Sequence, residues 1–126
     1  MPSYILSCEF DVTRRVGWDD DDLGLHIDDV FDRLQQGSGM TGMEAEADLD
    51  TGRATVTMSF DVDRSTDAEH HGRAMLGVAI RSSGGGHSGL LPFSEEAHVK
   101  PQRGQWSGLR TPSWKVRQVN LQRDAD

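Results

Sequence analysis

The chain has 126 residues, 35 % of them apolar and 27 % charged, with 13 Lys plus Arg against 21 Asp plus Glu, a net charge of −8 and a pI near 4.9. That length predicts one domain over 1–126, and the polar but patterned composition is unlike that of a disordered chain. The acidic balance excludes a surface that is wholly a nucleic-acid or anionic-membrane footprint, because both need a basic field.

In Tyr4, Leu6, Cys8, Phe10 and Val12 an apolar phase alternates with Ile5, Ser7, Glu9 and Asp11, which predicts a half-buried strand. Asp19 to Asp22 then supply an N-cap and a negative first turn, both favoured at the positive end of a helix dipole. Leu23, Ile27, Val30, Phe31 and Leu34 follow at helical spacing until Gly37 and Gly39, so a helix is expected over about 20–36. Two further alternating runs, Met43 to Leu49 and Ala54 to Val62, flank Asp50-Thr51-Gly52 and predict an antiparallel hairpin. Thr66 with Glu69 has the spacing of a capping box, and Ala68, Met75, Leu76, Ala79 and Ile80 carry a second helix to about Arg81. Gly72 and Gly77 inside it each cost about 1 kcal/mol relative to Ala, which points to close packing on the sheet or on another copy.

Residues 82–112 open on Ser82-Ser83-Gly84-Gly85-Gly86, carry prolines at 92, 101 and 112, and hold no sustained period. They read as a long Gly/Pro-containing loop, with room for a short strand near 90–93 or 97–100. Ser113 to Gln122 closes the chain as a strand. Trp114 and Val116 lie on one phase, Val119 and Leu121 on the other, and a switch near Gln118 is the mark of a β-bulge. Strand, helix, strand, strand, helix, strand is the order of a ferredoxin-like α+β sandwich: a four-stranded antiparallel sheet with two helices on one face.

Chemical motifs are incomplete. Gly86-His87-Ser88-Gly89 lacks the second glycine of a nucleophile elbow because position 90 is Leu, and the glycine run lacks the Lys-Ser/Thr of a phosphate loop. Asp19 to Asp22 fail as a calcium loop, with Leu23 at the fifth position and Val30 at the twelfth. The five histidines include no i, i+4 pair, so zinc would need distant residues such as His71, His87 and His98. No metal or cofactor is expected. Cys8 reads as a buried small hydrophobe, and one cysteine forms no internal disulfide. With no signal-peptide pattern and no ~18-residue apolar span, a soluble protein in a reducing, cytoplasmic compartment is expected.

Charge is divided along the chain. Residues 1–70 hold 5 basic and 17 acidic side chains, net −12, and residues 71–126 hold 8 basic and 4 acidic, net +4. If the apolar phase faces the helices, Glu9, Asp11, Glu44, Glu46, Asp48 and Asp61 project from the opposite sheet face beside Thr55, Thr57 and Ser59. Lys115 and Arg117 of the last strand then come near Glu9 and Asp11. Such a face is wrong for RNA, which needs aromatic and basic groups. The reading favoured is a non-enzymatic binding or regulatory module, a homo-oligomer and most simply a dimer. It would act through the open sheet face and the 82–112 loop, with Arg103, Trp106, Arg110 and Trp114 as interface residues. Two alternatives stand beside it. One is a small enzyme or ligand-binding protein using His87, Ser88, Glu95 and His98; the other is an acidic decoy for a basic protein partner.

Overall fold

A computed structural model describes residues 2–37, 39–90 and 112–123. The alternation of the first segment becomes β1 (Ser3–Thr13), which buries Leu6, Cys8, Phe10 and Val12 on one side. Helix α1 (Asp20–Gln35) starts on the expected cap. The Asp22 N–H donates to Asp19 Oδ1 at 2.9 Å, and the Asp19 N–H to Asp22 Oδ2 at 3.2 Å, so two of the donors that a helix start leaves open are satisfied reciprocally.

The hairpin is β2 (Met40–Asp48) and β3 (Arg53–Asp61), with β2 starting three residues before the expected Met43. Asp48 builds the turn, its Oδ1 accepting from the Asp50 N–H at 2.9 Å. Gly52 has φ +73°, and a Cβ there would stand 2.8 Å from the Val12 carbonyl oxygen, so close approach and backbone conformation both require glycine.

Helix α2 (Ser65–Ser82) begins one residue before Thr66. The expected capping box therefore does not form: the N-cap is Arg64, which makes no side-chain cap bond, and Glu69 instead pairs with Arg73 at 3.0 Å one turn on. Gly72 faces the sheet, where a Cβ would come 2.4 Å from Leu6 Cδ2 and 3.2 Å from Met58 Cε. The propensity cost of about 1 kcal/mol is offset by apolar burial worth roughly 1.5–3 kcal/mol per large side chain.

The sheet differs from expectation by one strand. Gly86-His87-Ser88, read as loop, forms a short strand β4 (Gly86–Ser88), parallel to β5 (Ser113–Arg123). Strand order is β2-β3-β1-β5-β4, and every pairing but the last is antiparallel. The four long strands thus keep the ferredoxin-like order, and β4 extends its edge as a mixed fifth member. Parallel neighbours cannot be joined by a tight turn and need a crossover of a dozen or more residues. That requirement explains why a long connection separates Ser88 from Ser113. Of the strand positions suggested within it, 90–93 lies outside the described residues from 91 on, and 97–100 lies wholly outside them.

Both helices pack on one side of the sheet. Leu23, Ile27, Val30 and Leu34 of α1 and Ala68, Leu76, Ala79 and Ile80 of α2 join the buried phases of β1 and β3 in one core. Among the described residues no helix is long and apolar enough to cross a membrane.

Candidate binding surface

Among the described residues no helix lies on the opposite side of the sheet, and the strand register sets its side chains in rows. From β2 to β5 the first row reads Asp48, Arg53, Asp11, Lys115, alternately acidic and basic. The second is Glu46, Thr55, Glu9, Gln118. The third is Glu44, Thr57, Ser7, Asn120, and the fourth is Gly42, Ser59, Ile5, Gln122. One end of the face is therefore charged. The other is hydroxyl and amide around a single aliphatic side chain, and beyond it the Ser3 hydroxyl donates to Asp61.

The charged end is partly neutralised within the chain. Arg117 lies 3.1 Å from Glu9 Oε1 and 3.1 Å from Asp11 Oδ2, while Arg53 approaches Asp11 at 3.8 Å. The bulge explains how Arg117 reaches both. Phe10 pairs with Val116 and Glu9 with Gln118, so Arg117 is the extra residue of β5. It allows Trp114 and Val116 on one side of it, and Val119 and Leu121 on the other, to face the helices together. Among the described residues no cation stands opposite Glu44 or Glu46 on β2, whose cross-strand partners are Thr57 and Thr55. The two carboxylates line a hollow of about 240 Å³ with those threonines, and a second, of about 290 Å³, continues along Asp48 and Arg53.

The predicted site residues are dispersed. His87 and Ser88 stand on β4, where the His87 ring lies 3.0 Å from an Arg81 nitrogen. Glu95, His98, Arg103, Trp106 and Arg110 lie outside the described residues. Trp114, expected at an interface, is fully buried: its ring meets Phe10 edge-on at 5.3 Å, and its Nε1–H donates to His26 Nε2 at 2.9 Å. The reason is register, since Trp114 shares the inward phase of Val12, its partner on β1. His71 sits on α2 with Phe60 edge-on at 5.5 Å, away from β4. Among the described residues no three His, Cys, Asp or Glu side chains converge as a metal site would require. Cys8 is buried, and desolvation pushes its thiol up to about 11, so it is a packing residue rather than a nucleophile.

Two features escape a sequence reading that attends to motifs. His26 was legible as buried, because it stands three residues after Leu23 and four before Val30, on the inward face of α1. Arg53 was legible as outward-facing, because it shares the phase of Thr55. A third feature, an apolar groove of about 400 Å³, runs between the two helices along Leu34, Met75, Val78 and Ala79.

The sequence matches no protein-family model and no curated protein. Among solved structures, a dimeric ferredoxin-like protein from an uncultured marine organism resembles it at 12 % identity and a TM-score of 0.35, over 98 % of this chain and 86 % of that one. At that score the strand order and register, not the likeness, define the fold.

Proposed function

We propose that the chain is a non-enzymatic binding module that acts as a homodimer through the sheet face opposite its two described helices. The observation that supports this most is how charge is distributed on that face. Ser7, Thr57, Ser59, Asn120 and Gln122 surround Ile5 without a charge among them, and the charged groups lie to the sides and at both ends, with Asp61 beyond Ser59. Depletion of charge at the centre with a polar, charged rim is the composition of association surfaces, which overall need be no more apolar than other protein surface. The buried thiol with no cysteine partner fits a reducing compartment such as the cytoplasm.

Sedimentation velocity from about 1 to 100 μM tests the proposal, a range that brackets the micromolar dissociation constants of modest interfaces. A dimer is expected, and Thr57→Arg, placed at the centre of the face, should dissociate it while leaving the far-UV circular dichroism unchanged. A monomer throughout the range, or a dimer indifferent to Thr57→Arg, overturns the proposal. A complex that forms only with an added basic protein would move the assignment to the acidic-decoy reading.

A further inference from the structure

Resting on the sheet face as the surface of self-association, we infer that two copies stack about a two-fold axis parallel to the strands, which lays β2 of each over β5 of the other. The register carries this. Rotation about such an axis keeps each row at its level and reverses its order from left to right. The row Asp48, Arg53, Asp11, Lys115 then meets Lys115, Asp11, Arg53, Asp48 of the second copy, so every acid faces a base. In the next row Glu46 comes over the bulge that carries Arg117, and Thr55 over Glu9. In the third, Glu44 meets Asn120, an acceptor over an amide donor, and Thr57 meets Ser7, hydroxyl over hydroxyl.

The other in-plane axis, perpendicular to the strands, lays β2 over β2. Glu44 and Glu46 of the two copies would then share one edge with no cation opposite either on β2 or β3, and like charges brought together oppose association. Either in-plane axis keeps the two sheets within the small angle of aligned sheet packing, roughly −30°, so the charge rows decide between them. Interfaces of this symmetry are self-complementary patches, and a row whose charges are reversed by reading it backwards is such a patch.

The third row offers the cleanest test, because among the described residues no hydrogen bond or ion pair uses the side chains of Glu44 or Asn120. They stand on strands three spacings apart, about 14 Å at the usual inter-strand distance, so no contact within one copy can join them. Asn120→Glu is expected to weaken the dimer on the order of tenfold, since two carboxylate pairs then oppose each other. Glu44→Lys combined with Asn120→Glu should restore it to at least the parent affinity, because each introduced lysine faces an introduced glutamate of the second copy.

Under the perpendicular axis β2 lies over β2 and β5 over β5, so the introduced lysine and glutamate never meet and the double variant shows only the sum of the effects of Glu44→Lys and Asn120→Glu alone. That result, in chains shown folded by thermal melting, overturns the inferred axis. Thr57→Arg would still break the dimer in that case, which separates failure of the axis from failure of the surface. A parent chain that is monomeric, or a dimer that survives Thr57→Arg, sinks both.

Discussion

His26 Nε2 accepts the Trp114 indole N–H at 2.9 Å, so in the folded protein that nitrogen carries no proton. The ring is only 6 % exposed, and desolvation holds its pKa below the ordinary 6.5, against weaker opposing effects from the Ser83 backbone and Asp29. Proton uptake would turn the acceptor into a donor facing another donor, at the point where Trp18, Phe10 and Phe31 crowd the same cluster. Because the unfolded chain takes up the proton more readily than the folded one, the stabilisation is complete above pH 6.5 and is lost as pH falls below it toward the folded-state pKa. Thermal melts should be flat from about pH 8 to 7 and decline below 6.5. The difference between parent and His26→Leu should shrink over the same interval, although the variant is less stable throughout because the Trp114 N–H loses its acceptor. An acid slope equally steep in both proteins would show that other groups cause it.

β5 shows, at the level of an element, how a bulge absorbs one extra residue so that both halves of a strand keep the same inward face. Arg117 contributes ion pairs to Glu9 and Asp11 from a side chain 39 % exposed, and exposed pairs of this kind are worth only about 0.2–1 kcal/mol each. As the extra residue of the bulge it is also a residue of β5 whose removal leaves every other face unchanged, because Trp114, Val116, Val119 and Leu121 then fall on a single unbroken alternation. Removing Gln118 as well would turn Val119 and Leu121 out and Asn120 in, since a one-residue slip exchanges the faces of a strand. Arg117→Ala and in-frame deletion of residue 117 are therefore both expected to unfold cooperatively with a loss of about 1 kcal/mol, whereas deletion of 117 and 118 together should abolish cooperative unfolding by denaturant. A double deletion with a normal transition would mean that the register is set elsewhere. The phase switch was visible in the sequence because Trp114, Val116, Val119 and Leu121 cannot share one face of an unbroken strand. β4 was not, because Gly-His-Ser is too short and too weakly apolar to show alternation, and only its pairing with Ser113 to Lys115 makes it a strand. The capping box misled for a related reason: sequence spacing gives a cap's chemistry but not the residue at which the helix begins.

For the whole molecule, the division of −12 and +4 along the sequence becomes a gradient across one sheet, with Glu44 and Glu46 on β2 and Lys115 and Arg117 on β5. The carboxylate face was readable from alternation. Its pairing with β5 needed only the guess that the last strand neighbours the first, whereas the Arg103, Trp106 and Arg110 positions depend on a segment with no periodic signal. Salt should therefore act in two directions. A net charge of −8 disfavours the compact monomer through self-repulsion, which screening relieves, while pairs such as Asp48 with Lys115 of a second copy weaken as the Debye length falls from about 10 Å at 0.1 M to about 3 Å at 1 M. Because association stabilises only the folded state, the dimer makes the melting temperature depend on protein concentration. That dependence should be strong in dilute buffer and nearly vanish at about 1 M NaCl, while the most dilute sample melts no lower in salt than without it. A dependence that instead grows with salt would identify an apolar contact, and the groove along Leu34, Met75 and Val78 would then replace the sheet face as the surface on which copies meet.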